Sequence, residues 1–221
     1  MTPPRPRASL AARAGLLLAR FDGAVMRVEP VRPIAGQALA CQAPATWAAL
    51  QAWCRSGAHF AVATLLQGPP ARRDGLVEAF SRELDGSNQL AAAGGRLAGL
   101  LLRLRVKARD AMWWRARQPA DPWDAGYLIG DLQALRLFRP RRATLMVAQA
   151  TLEEAVLREA VQILSAHSAG FQHPVRLLLL GRSIDARAWS STPSSSEAIT
   201  EIAWSWEAGP SASASTASAS R

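Results

Sequence analysis

The chain has 221 residues, 49% of them hydrophobic and 19% charged, enough for one ordinary domain with a real core. Its net charge is +9 and Lys107 is its only lysine, so arginines carry the positive field that would attract nucleic acid or an anionic surface. No run approaches the ~20 apolar residues of a spanning helix, and two cysteines, Cys41 and Cys54, exclude a disulfide framework or a zinc quartet and fit a reducing cytoplasm.

Met1 to Arg7 is rich in Pro and Arg and is expected to be loose. The first twenty residues carry Arg and no acid, but their apolar part is short and no A-x-A site follows, so no targeting signal is expected. Ser9 to Phe21 places Leu10, Ala14, Leu17, Leu18 and Phe21 on one helical face, suited to packing on the domain or on a partner. Val28 to Gly36, with Pro30 and Pro33, reads as an extended arm. Residues 1–45 are thus an N-terminal helix and arm.

From Thr46 the pattern is regular. Trp47 to Arg55 is helical, Gly57 breaks it, and Phe60 to Leu66 is an apolar run suited to a buried strand. A loop, "QGPPARRDG", leads into a helix with Leu76, Val77, Phe80 and Leu84 at helical spacing, Asp74 as the expected N-cap and Gly86 as the stop. Leu100 to Arg109 alternates, which predicts a strand with Arg103, Arg105, Lys107 and Arg109 on its wet face. "WWRARQPADPWDAGYLIGD" reads as loop, with Asp121 to Leu128 as a lid or partner surface anchored by Trp123 and Tyr127. Ala143 to Ala148 is a strand, and Thr151 with Glu154 has capping-box spacing ahead of a helix that Gly170 ends. "VRLLLL", Val175 to Leu180, is a further strand, and Ile202 to Trp206 a short edge strand.

Strands therefore alternate with helices, and most strands are continuously apolar. This predicts an α/β fold, a mostly parallel central sheet with helices on both faces, over residues 46–187. Residues 188–221 form a Ser/Ala-rich tail, and "SASASTASASR" is expected to be disordered.

The loop after the first strand has the outline of a phosphate-binding G-x-x-x-x-G-K-[ST] motif. Gly68 fills the first position, while Arg73, Asp74 and Gly75 stand at the second glycine, lysine and hydroxyl positions. A carboxylate at the lysine position repels phosphate, by on the order of 4 kcal/mol at ~4 Å before screening. Arg72 and Arg73 offset part of this, since Arg binds phosphate well, but they do not restore a metal ligand.

With its context, this region resembles the core of P-loop NTPases of the STAND and AAA-like group. The resemblance spans Thr46 to Ala186 and rests on the Gly68 loop, on "RPRRATLMVAQA" leading into a strand and helix, and on "HPVRLLLLGRS". It implies a P-loop-like three-layer sandwich and, in the group, ATP or another nucleotide as ligand. It also implies an acid at the end of the second-motif strand, where Gln149 stands here, and a phosphate-sensing position matched by Arg182. Lysine, hydroxyl and acid are all replaced, and metal-assisted phosphoryl transfer needs each of them. The expected activity is therefore none: no catalytic residue, no cofactor and a binding or assembly role through a protein partner or self-association.

Two other readings stand beside this one. Nucleotide binding, if retained, would use Gly68, Arg72, Arg73, Gly75 and Arg182. Nucleic-acid binding would use Arg103, Arg105, Lys107 and Arg109 with Trp113 and Trp114, which could hold phosphates and stack bases, with Arg139, Arg141 and Arg142 as a second basic cluster. His59, His167 and His173 have no metal-ligand spacing, so no metal site is expected.

Overall fold

A computed structural model describes residues 25–27, 41–88, 121–182 and 200–205. In chain order these hold β1 (Met26–Arg27), α1 (Pro44–Cys54), β2 (Phe60–Leu65), α2 (Pro70–Leu84), β3 (Asp124–Leu128) and α3 (Leu132–Leu137). Then come β4 (Thr144–Ala148), α4 (Glu154–His167), a 3-10 turn at Ser168–Gly170, β5 (Val175–Leu180) and β6 (Thr200–Glu201).

The strands form one sheet in the order β1-β3-β4-β5-β2-β6. The five strands from β3 to β6 run parallel, and β1 joins β3 antiparallel at the edge. The centre is tightly registered: Phe60 to Leu65 lie opposite Val175 to Leu180, and Thr144 to Ala148 opposite Val175 to Leu179.

Connectivity explains the layers. The chain leaves β2, passes beyond β5 and β4 to reach β3, then steps back through β4 and β5 and passes over β2 to β6. Right-handed crossovers in opposite directions put their helices on opposite faces. Accordingly, Val77 and Phe80 of α2, with Leu50 and Trp53 of α1, pack on Ala63, Leu65, Leu145, Val147, Leu178 and Leu180. Leu135 of α3 and Leu157, Ala160 and Leu164 of α4 cover Phe60, Val62, Met146, Leu177 and Leu179 on the other face. The molecule is the expected three-layer α/β sandwich, and the central strands β2, β4 and β5 are mostly apolar because both faces are covered.

Several local expectations need correction. Asp121 to Leu128 is no lid: Asp124–Leu128 is a parallel strand inside the sheet, and Asp124 is buried beside Arg142 at 3.9 Å. That pairing also takes Arg142, only 3% exposed, out of the basic surface cluster. Trp123 is buried and Tyr127 packs against the same core, so their anchoring role stands. The loop reading also hid α3, whose N-cap Asp131 accepts bonds from the N–H groups of Gln133 and Ala134.

Asp74 does not cap α2. The helix starts at Pro70 behind an extended Pro69, because proline at the first helical position forgoes an N–H that would be unpaired anyway. Thr151 does not cap α4 either. It lies in a turn closed by Leu152 N–H to the Gln149 carbonyl, and Glu153 holds the N-cap position without a side-chain bond. The edge strand is Thr200–Glu201, starting two residues before the expected Ile202 to Trp206 and ending ahead of it, with Ile202 N–H still bonding the Thr64 carbonyl. The strand expected at Leu100 to Arg109 lies outside the described residues. No helix among the described residues is long and apolar enough to cross a membrane.

Candidate functional site

In an open parallel sheet, the crevice for a ligand opens at the carboxyl edge, where neighbouring connections leave toward opposite faces. Here that point lies between β2 and β5: β2 exits toward α2 on one face, while β4, next to β5, exits toward α4 on the other. Gly181 N–H bonds the Leu65 carbonyl at 3.0 Å and closes the ladder at this edge. The loop Leu66–Pro69 follows β2, and Gly181–Arg182 follows β5.

Gly68 has φ of +93°, a conformation that favours glycine. A methyl group placed on it would come within 2.5 Å of the Trp204 indole, so the ring lies directly on the loop backbone. Trp204 follows β6 and is held on both sides by Thr46, a fully buried residue in the first turn of α1. The Thr46 hydroxyl contacts the Ala203 and Ser205 carbonyls at 3.2 and 3.3 Å and accepts from Ser205 N–H at 2.8 Å.

Arg73 fills the other side. Its side chain is only 9% exposed and turns back along the first turns of α2. Its Nη1 donates to the Leu66 carbonyl at 3.4 Å, its Nε stands 3.6 Å from Asp74, and its guanidinium lies against Gly181, where a methyl group would meet Nη2 at 2.9 Å. Gly181 also has a positive φ, +68°. Asp74 itself points outward, with its side chain 56% exposed.

The loop offers few donors for an anion. Of residues 68–71 only Gly68 and Ala71 carry an N–H, since Pro69 and Pro70 have none. The N–H groups of Arg72 and Arg73 turn back to the Pro69 carbonyl at 3.0 Å each. A triphosphate therefore does not fit these residues: the indole lies on the turn, a carboxylate holds the lysine position, and Gly75, at the hydroxyl position, is buried within α2.

The expected site residues are only partly brought together. Gly68 and Arg73 share the crevice, with Gly181 as an unforeseen neighbour. Arg72 is on the exposed side of α2. Arg182 donates through Nε and Nη2 to the Ala150 carbonyl, tying the turn after β5 to the turn after β4. Gln149 sits in that same turn, at the end of β4. Arg103, Arg105, Lys107, Arg109, Trp113 and Trp114 lie outside the described residues.

Thr46 and Trp204 are the residues that sequence reasoning missed here. The sequence places Trp204 within the expected edge strand Ile202 to Trp206, and nothing in it aims the ring at a loop so distant along the chain.

Burial changes proton affinity near the opposite edge of the sheet. Cys54, at the end of α1, is pushed up to about 12 by burial, against the lowering fields of Arg176 and Arg55. Asp85, after α2, is raised by burial, with hydrogen bonds from Ser87 and the Arg82 charge opposing. Among the described residues no three of His, Cys, Asp and Glu come together in a way that could hold a metal ion.

No protein-family model and no curated protein matches this sequence.

Proposed function

We propose that this chain is a catalytically silent binding or assembly module on a P-loop-like scaffold. One observation carries the reading: the crevice at the β2–β5 edge is filled by the chain's own Trp204 and Arg73. Strand order supports the scaffold, since the Gly68 loop leaves the strand at which the connections reverse direction. The residues around the loop support the silence. Phosphoryl transfer needs cations and a metal placed on the β- and γ-phosphates. Here Arg73 is turned onto Leu66 and Gly181, Arg182 onto Ala150, and Asp74 adds charge of the wrong sign. With that chemistry gone, a rigid sheet covered by helices keeps the capacity to present a surface to a protein partner or to a second copy.

A thermal-shift titration with magnesium and ATP tests this. A ligand at a hundredfold excess over its Kd stabilises by about 2.7 kcal/mol, which is readily seen. The expected result is no shift at millimolar ATP and no phosphate release. A dose-dependent shift, or turnover lost on Arg73→Ala, would overturn the reading.

A further inference from the structure

We propose that the groove along α3 and α4 is the docking site of the chain's own N-terminal segment, Ser9 to Phe21, seated antiparallel to α4. The groove is on the sheet face away from α2, so the inference is independent of what the crevice binds.

The groove has a volume of about 550 Å³. Ala155, Ile163 and Ala166 give it an apolar lining, Gln162 lies among them, and Arg136 of α3 borders it through its 2.8 Å pair with Glu159. Apolar surface is also uncovered nearby: Ile129 before α3 and Leu137 at its end are the large apolar side chains exposed among the described residues.

The point where the chain enters the fold selects the occupant. Ile129 N–H bonds the Val25 carbonyl at 3.0 Å, and a methyl group on Gly130 would meet Leu152 at 3.0 Å and Val156 at 3.3 Å. Val25 therefore lies close to the start of α4, where the groove begins at Ala155. Residues 1–24 lie outside the described residues. Asp22 to Ala24 can span up to about 10 Å. As a helix, Ser9 to Phe21 is about 20 Å long, against about 18 Å from Ala155 to His167. Leu10, Ala14, Leu17, Leu18 and Phe21 share one face of that helix and supply the apolar counterpart. Seated this way, Phe21 lies at the Ala155 end and Leu10 toward His167. Charge agrees with this placement. The first 21 residues carry Arg5, Arg7, Arg13 and Arg20 and no acid. At the end of α4 nearest Val25, Arg158 pairs with Glu154, while no arginine among the described residues pairs with Asp131 or Glu153.

Thiol labelling of the full chain, resolved by peptide mass spectrometry, tests this with Gln162→Cys as the probe and Ala48→Cys, on the exposed side of α1, as the reference. Each rate is taken relative to the same thiol in denaturant. A segment docked about nine-tenths of the time leaves about a tenth of the molecules open, so Gln162→Cys should label about tenfold more slowly than Ala48→Cys. Adding Leu17→Asp with Leu18→Asp should restore its rate, while buried Cys54 stays unlabelled and shows that the core is folded. If the aspartates expose Cys54, Leu17→Ala with Leu18→Ala replaces them and a partial rise is expected. Equal rates for the two probes in the otherwise unaltered chain would overturn the proposal. So would protection that survives every change at Leu17 and Leu18, or protection that grows with protein concentration, which would assign the groove to a second copy.

Discussion

Arg176 gives the sharpest test of the packing. It stands in the middle of the sheet, in a strand otherwise built from Val and Leu, and is wholly buried. Its guanidinium makes five hydrogen bonds: Nε to the Trp53 carbonyl at 3.2 Å, Nη1 to Ala58 and Val175 carbonyls, and Nη2 to the Ser56 carbonyl and hydroxyl. Trp53 is in the last turn of α1, where its carbonyl also accepts Ser56 N–H at 3.2 Å and the helix dipole is negative. A buried cation is tolerated here because it gathers the helix end and the following turn onto β5.

Replacing it by methionine keeps most of the stem volume and deletes the charge. Bonds from charged donors contribute about 1.5–3 kcal/mol each, and an orphaned buried carbonyl costs about 1–3 kcal/mol. Against this stands the relief of desolvating a guanidinium, several kcal/mol. Some of the freed carbonyls are only partly buried and can be rehydrated. The net expectation is a loss of about 3 kcal/mol. With a urea m-value of about 1–3 kcal/mol/M, the midpoint should fall by roughly 1–3 M. Arg176→Lys keeps the charge but cannot reach all the acceptors, and should fall between the two. An Arg176→Met protein as stable as wild type, or more so, would show that desolvation outweighs the bonds and refute this account.

Gly68→Ala should cost about 1–3 kcal/mol from the positive φ alone, plus the clash with the indole. Combining it with Trp204→Ala should return the clash component, read as a coupling energy in a double-mutant cycle of chemical denaturation. Arg142→Met strands the buried Asp124 carboxylate and should cost about 3–5 kcal/mol, whereas Arg142→Met with Asp124→Leu should recover most of it, measured by the same urea titrations. A colorimetric thiol reagent at pH 8 should label exposed Cys41 quickly and Cys54 only in denaturant, since burial keeps Cys54 a thiol. Because its folded pKa is about 12 and its ordinary value 9.0, the folded state holds this proton more tightly. The resulting stability is complete below pH 9.0 and should fall between 9.0 and 12 by at most about 1.4 kcal/mol per pH unit. Cys54→Ala should flatten that slope.

What could be read from sequence follows from how each element is stabilised. β2, β4 and β5 were legible because burial on both faces demands predominantly apolar runs, and those runs have clear ends. β3 was not, because "DAGYL" carries an acid and a glycine. Its place in the sheet depends on Arg142, which neutralises Asp124 from the lead-in to β4. The start of α2 was misread for a local reason: Asp74 has N-cap chemistry, but consecutive prolines set the backbone earlier. Arg176 was passed over because a strand of leucines hides a cation whose acceptors all lie on a preceding helix and turn, apart from the Val175 carbonyl.

The same limit applies to the crevice, where loss of function and gain of packing are linked. Asp74, Pro69 and Pro70 can be read from the sequence as losses of cation and donors. Their counterpart cannot. A loop that no longer attracts an anion still faces a concave edge between two glycines, and a gap there would forfeit close contacts. Arg73 closes it from within α2, and Trp204 closes it from the far end of the described chain. The indole is held there by a threonine hydroxyl from α1, so three distant segments meet at one turn. Trp204→Ala should therefore cost more than an exposed aromatic would: about 2–4 kcal/mol, scaled down from full core truncations because the ring is only partly buried. A loss below about 0.5 kcal/mol, the range of ordinary surface substitutions, would mean that the ring merely rests on Gly68, and that the crevice is open for most of the protein's lifetime.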